Sequence, residues 1–136
     1  IAKMSWDSYI DNLIGHTAGN CDKACIIGLD GSKWTTDGHD KALKIQASEA
    51  ATIGQAMTSK DFTPFQTSGI LVEGIKYQFL RGEDTLVLGK KKDNGAITFQ
   101  SSKKAIVIGH TAEGQQQGNT NKGVGVIAEY LESLGM

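Results

Sequence analysis

Between Gly69 and Gly109 the chain breaks into short apolar segments separated by turn signals, and this spacing limits the possible folds more than any other feature. Ile70-Leu71-Val72 runs into Glu73-Gly74, and Ile75 to Arg81 (IKYQFLR) into Gly82-Glu83-Asp84. Thr85 to Gly89 precedes the loop Lys90-Lys91-Lys92-Asp93-Asn94-Gly95, and Ala96 to Gln100 and Ala105 to Gly109 complete the series. Segments of this length bounded by Gly, Asp and Asn read as strands. A parallel pair needs a crossover of a dozen or more residues, so the regular short connections predict an antiparallel meander rather than βαβ units.

A sheet buries its apolar face against something, and the flanks of the meander supply it. At the start, Met4 to Ile14 (MSWDSYIDNLI) places Ile10, Leu13 and Ile14 on one helical stripe. Ser5 is the expected N-cap, Asp7 suits the positive end of the helix dipole, and Gly15 is the expected stop. Trp6 and Tyr9, three apart, neighbour each other on this helix; they either complete the core or form half of an aromatic shelf. At the far end, Ala112 to Gly118 reads as a polar loop. Asn119 to Leu134 then carries Val124, Ile127, Ala128, Leu131 and Leu134 as an amphipathic stripe, with Asn119 or Thr120 as cap. Gly123 and Gly125 weaken its first turns by about 1 kcal/mol each relative to Ala, so packing must hold it.

Between the first helix and the meander, Lys23 to Leu29 (KACIIGL) has the length and β-branching of a buried strand. Asp30-Gly31 is a tight-turn signal, and the return through Ser32 to Thr35 completes a hairpin with Trp34 on its second strand. Thr36 to Lys41 is polar and turn-rich. Ile45 to Met57 is alanine-rich and reads as a helix with Ile45, Ala56 and Met57 toward the core. Lys60 to Gln66, with Phe62, Pro64 and Phe65, reads as a short helical turn or an irregular apolar loop. The expected architecture is α/β of the α+β type. A central antiparallel β-sheet has its N- and C-terminal helices side by side on one face and short helices on the other.

The 136 residues suit a single domain. Ile1-Ala2-Lys3 reads as an appended remnant ahead of a native start at Met4, leaving residues 4–136 as that domain. A net charge of −1 argues against a dedicated nucleic-acid binder. No apolar run approaches the roughly 20 residues of a membrane span, and the start lacks the layout of a signal peptide. Two cysteines, Cys21 and Cys25, are too few for a disulfide framework and read as free thiols in a reducing compartment, the cytosol. His16, His39 and His110 are scattered, so neither a metal site nor a cofactor is expected. Catalysis needs a converging nucleophile, base and orienter. Cys25 with a histidine is the nearest candidate, and it lies in an apolar strand. The 17 glycines contain no G-x-x-x-x-G-K-[ST] phosphate loop.

Four segments in order resemble the profilin family of small actin-monomer-binding proteins. They are the start MSWDSYIDNLI, the hairpin GLDGSKW (Gly28 to Trp34), GKKKDNGAIT (Gly89 to Thr98) and the ending AEYLESLGM (Ala128 to Met136). The resemblance implies a proline-rich-segment site between the terminal helices, made by Trp6, Tyr9, Trp34, Tyr130 and Met136. Tyr130 stands where some relatives have His, and Met136 where others have Tyr, Phe or Leu. It implies an actin face of Lys76, Arg81, Lys90, Lys91, Asn121 and Lys122. Lys76 to Lys104 holds seven basic residues against Glu83, Asp84 and Asp93, a field suited to an acidic partner. The implied partners are monomeric actin, proline-rich proteins such as formins, and phosphoinositide headgroups attracted to Lys90–Lys92, although Glu132 and Ser133 depart from basic-tailed relatives. The implied protein is a monomeric, non-enzymatic cytoskeletal component. A second reading from fold analogy is a small-molecule sensor of PAS or longin type.

Overall fold

The computed structural model describes residues 6–17 and 19–136. In chain order the elements are α1 (Ser8–Gly15), β1 (Cys21–Gly28), α2 (Ala47–Ser59), α3 (Thr63–Ser68), β2 (Ile70–Val72), β3 (Ile75–Glu83), β4 (Leu86–Lys91), β5 (Gly95–Ser101), β6 (Ala105–Thr111) and α4 (Gln117–Ser133). The six strands form one antiparallel sheet in the order β1-β6-β5-β4-β3-β2. The meander β2 to β6 is the one the turn spacing predicts. β1 joins at its far edge, beside β6, after α2 and α3 have carried the chain across.

Alternation along the strands divides the interior into two cores. Cys25 and Ile27 of β1, with Ile106 and Ile108 of β6, face α2 and α3. There they meet Ile53, Met57, Phe65, Tyr77 and Phe99. Ala24 and Ile26, with Ala105 and Val107, face the terminal helices and meet Ile10, Leu13, Val124, Ile127 and Leu131. α1 lies over β1, and α4 over β5 and β6, side by side on that face as expected. Small residues set the spacing. A Cβ on Gly123 would stand 2.5 Å from Thr17 Cγ2 and 3.3 Å from the Leu13 carbonyl. A Cβ on Gly109 would stand 2.9 Å from side-chain carbons of both Thr120 and Val124. Gly123 therefore costs helix propensity because α1 and α4 cross where only a hydrogen fits.

Several boundaries differ from the sequence reading. Gly15 is the last helical residue, and His16 takes the cap position. Ser5 lies outside the described residues; Asp7 stands at the cap position without a capping hydrogen bond there. β1 starts two residues early, at Cys21, and a register shift between Cys21 and Lys23 places Cys21 in the terminal-helix core and Cys25 in the other. Thr120 does not cap α4, which starts at Gln117. Thr120 is buried, and its hydroxyl accepts from Thr111 Oγ1 at 2.7 Å. Asn119 is likewise inside the helix. Leu134 leaves the stripe and is 52% exposed, because the helix ends at Ser133 and Gly135 turns with φ 79°. Ile45 precedes α2 but is still buried. α2 instead opens on a capping box of Gln46 and Glu49.

The hairpin return is not a strand. Lys33 makes a single bridge to Ile27, and Trp34 and Thr35 both donate from their backbone to the Ile26 carbonyl. The Thr35 hydroxyl accepts from the Ile26 N–H, so a side chain replaces the next rung of a ladder. Lys90 and Lys91 are the last residues of β4, and the connecting turn shrinks to Lys92–Asn94, with Asp93 left-handed at φ 67°.

Candidate functional site

An aromatic cluster lies where α1, α4 and the hairpin return converge. Trp6, in the turn that opens α1, stacks on Tyr9 with ring centroids 5.3 Å apart and planes at 29°. The indoles of Trp6 and Trp34 stand 4.8 Å apart at 40°, and Tyr9 and Tyr130 are 6.2 Å apart. Such spacings are those of favourable ring pairs. Four rings from three separate stretches of sequence thus make one surface. Trp6 and Trp34 are half-buried, and Tyr130 is 50% exposed. Tyr9 is buried at 8% in the terminal-helix core, and its ring still contacts Trp6 and Tyr130, so it joins the core to the ring cluster. Burial and the neighbouring Tyr130 phenol raise the Tyr9 hydroxyl pKa above its ordinary value, which keeps it a neutral hydrogen-bonding group. Beyond Tyr9 a groove of about 320 Å³ continues between the helices, lined by Asn12, His16, Val126, Ile127 and Tyr130.

Met136 packs half-buried against the same core as Trp6 and Trp34. Its N–H donates to the Leu131 carbonyl at 2.9 Å, and its own carbonyl accepts from Ser102 Oγ at 2.9 Å and from the Lys104 N–H. The last residues are thereby fastened to the β5–β6 turn. The Trp34 indole N–H donates to Ser32 Oγ at 3.2 Å.

The basic residues occupy the other half of the same sheet face. On β3, Tyr77 and Phe79 point into the α2 side, so Lys76 and Gln78 point to the α1/α4 side. The register shift between Phe79 and Arg81 pairs Arg81 with Leu88, and Gln78 pairs with Lys90; these residues emerge together on that side. Leu71 and Leu80, each 49% exposed, lie among them. Asn121 accepts from Thr98 Oγ1 at 2.6 Å, which anchors the first turns of α4 to β5 and sets the exposed Lys122 beside this surface. Lys91 is not brought together with Lys90: consecutive strand residues alternate, and Lys91 projects from the opposite side. Arg81 is committed to Glu83 at 2.6 Å, an exposed ion pair.

The chain matches the family model described as Profilin over residues 4–136. It belongs to the profilin family. It is 66% identical to a profilin from Heliocidaris crassispina over 140 residues, covering 98% of this chain and 100% of the relative. Among solved structures, Acanthamoeba castellanii profilin II is 32% identical with a TM-score of 0.84, covering 97% of this chain and all of that one. Mouse profilin IIa, solved in complex with a double repeat from the FH1 domain of mDia1, shares the fold at 24% identity and a TM-score of 0.75, with 98% of this chain and all of that one covered. Profilins are binding proteins, not enzymes. The cysteines agree with this. Burial pushes the Cys21 thiol up to about 12 and raises that of Cys25 too, so neither is a ready nucleophile. Among the described residues no group of three His, Cys, Asp or Glu side chains is placed to hold a metal ion, and no helix is long and apolar enough to cross a membrane.

Sequence reasoning missed the polar ties around the shelf. Asp7 accepts from the Thr36 N–H at 2.7 Å and from its hydroxyl at 2.5 Å. The His39 Nε2–H meets Asp11 Oδ1 at 2.9 Å. These ties join α1 to a stretch that reads in sequence only as polar and turn-rich. No pattern in the sequence pairs residues 28 or 29 positions apart.

Proposed function

We propose that this profilin binds proline-rich segments on the Trp6–Tyr9–Trp34–Tyr130 shelf and monomeric actin on the β3–β4 half of the same sheet face, and so regulates filament assembly by delivering actin to proline-rich partners such as formins. The observation that carries the reading is the convergence of the four rings. Flat aromatics, of which Trp6, Trp34 and Tyr130 are partly exposed, suit proline rings, and polyproline II arrives preformed, so little ordering entropy opposes binding. Indole N–H and phenol O–H groups donate to the solvated carbonyls of such a ligand. For actin, the mixed apolar and basic surface of Leu71, Leu80, Lys76, Lys90, Asn121 and Lys122 suits an acidic partner, whose complementary field governs on-rate and orientation. Lys91 and Arg81 contribute less directly, one facing away and one paired to Glu83. Lys90–Lys92 is the segment that would draw phosphoinositide headgroups. The working form is a cytoplasmic monomer whose domain spans residues 4–136.

Pyrene-actin assembly tests the two halves together. The protein should slow spontaneous assembly alone, and a formin's proline-rich segment should convert it to a supplier of subunits. Sequestration unaffected by the segment would remove the proline half. Lys122→Glu with unchanged actin affinity would count against the actin face. The sensor reading is not favoured, since the family match and the aromatic surface both point elsewhere; tryptophan fluorescence responding only to a small apolar ligand would revive it.

A further inference from the structure

Trp34 contributes half of the closest ring pair, and backbone bonds tie it to β1 rather than to the turn that opens α1, which carries its partner ring. The hairpin return is held to β1 by Gly28 N–H on the Ser32 carbonyl, by Trp34 and Thr35 N–H on the Ile26 carbonyl and by Ile26 N–H on the Thr35 hydroxyl. The chain then runs exposed through Thr36, Asp37 and Gly38 before Lys41 and Leu43 pair with Ala24. What fixes this turn against α1 is a pair of carboxylates one helical turn apart. Asp7 uses both oxygens on Thr36, taking the backbone N–H on Oδ1 and the hydroxyl on Oδ2. Asp11 takes the ring N–H of His39. The ring of His39 is itself oriented, because its Nδ1 accepts from the Lys41 N–H at 3.0 Å. Gly38 N–H adds a bond to Thr36 Oγ1 at 3.3 Å. The bonds from Thr36 hold the Asp7 pKa below the usual carboxylate range, so it stays a charged acceptor at neutral pH. The clamp therefore joins the residue after Trp6 to the residue two after Trp34.

We propose that Asp7 and Asp11 are positioning residues for the proline-rich site, setting the Trp6–Trp34 spacing through Thr36 and His39. Neither carboxylate belongs to the ring surface; both act on the turn that carries Trp34. A pre-set spacing lowers the ordering cost of binding, so loosening the turn weakens affinity without removing a ring. This inference rests on the proline-rich reading of the shelf.

The test uses the full chain with three variants: the Asp7→Ala, Asp11→Ala double; Thr36→Val; and Trp6→Ala as a reference. Two readouts are taken well below the melting transition. One is affinity for poly-L-proline by tryptophan fluorescence. The other is the coupled indole band in circular dichroism, which depends on two indoles lying close at a fixed angle and needs no ligand. The double variant is expected to lose about tenfold in affinity and most of the coupled band. Thr36→Val, an exposed site that keeps the backbone bond to Asp7, is expected to show a smaller drop in both. Adding Asp7→Asn in place of Asp7→Ala, which restores one acceptor, should recover part of the band. A double variant that keeps the wild-type band and affinity overturns the inference. If wild type and Trp6→Ala bind poly-L-proline equally, the shelf reading fails, and the ligand-free band still decides whether the clamp sets the spacing.

Discussion

The two faces of the sheet are packed by different means. On the α2/α3 face the interior is filled by large side chains, with Phe65, Tyr77, Phe99, Met57 and a run of isoleucines fully buried. Phe62, Phe65 and Phe79 stack beside one another there, with centroids 6.3 to 6.5 Å apart. On the α1/α4 face Ala24, Ala42, Ala105 and Ala128 make up much of the core, and Gly109 and Gly123 let the helices settle close. Close helices leave no interior room for Trp6, Trp34 or Tyr130, so those rings sit at the rim. The lesson is that one face spends its aromatics on cohesion and the other leaves them available for contact.

The deepest cut at this contrast is Phe99→Ala. It removes a fully buried ring from the α2/α3 core and should lower unfolding free energy by about 3–5 kcal/mol, measured by urea denaturation; a loss below about 1 kcal/mol would deny that face its larger share. Trp6→Ala should do the reverse. It should cost about 2 kcal/mol of poly-L-proline binding while moving the denaturation midpoint far less than Phe99→Ala does.

A finer probe is His110, whose imidazole lies between Asp22 Oδ1 at 2.5 Å and the Asn94 carbonyl at 2.6 Å. Both partners are acceptors, so the doubly protonated imidazolium is the form that satisfies both bonds. Burial opposes the charge, but the bonds to Asp22 and Asn94 outweigh it and raise the His110 pKa above 6.5. The bond to His110 lowers that of Asp22 against its own burial. A raised folded-state pKa contributes stability in full below the unfolded value, and that stability disappears as pH rises through the folded value. The advantage of wild type over His110→Gln should therefore shrink between pH 6 and pH 8 in thermal melts. An advantage that grows over that range would reverse the assignment of charge. The smallest effect belongs to Arg81→Ala. Its exposed pair with Glu83 should contribute under about 1 kcal/mol to stability, so any larger change in actin affinity would report direct contact.

The meander was legible because its turns carry Gly, Asp and Asn at regular intervals, and the amphipathic stripe of α4 was legible from Val124 to Leu131. The end of that stripe was not: Leu134 is as apolar as Leu131, and only the turn at Gly135 separates a buried leucine from an exposed one. The identity of the shelf residues was available from resemblance, whereas periodicity left Trp6 and Tyr9 undecided. The structure explains that indecision through Tyr9, which is buried in the core yet stacks against the rings at its rim. Lys90 and Lys91 look equivalent in a basic run, and they separate only once β4 is seen to extend through both. The carboxylate clamp was illegible for a different reason. Hydrogen bonds between a helix and a distant turn leave no period and no motif.

The place of β1 has a consequence for how the molecule comes into being. Asp22 and its partner His110 are 88 positions apart, so β1 emerges early from the ribosome and waits for β6 before its ladder can close. Tyr130 follows later still. Closing so long a loop is a late and entropically costly event. A nascent or clipped chain can carry Trp6, Tyr9 and Trp34 without forming the groove they share with Tyr130. On the proposed proline-rich reading of the shelf, partners would then engage finished molecules in preference to partial ones, and the ring cluster would serve as its own proof of completed synthesis.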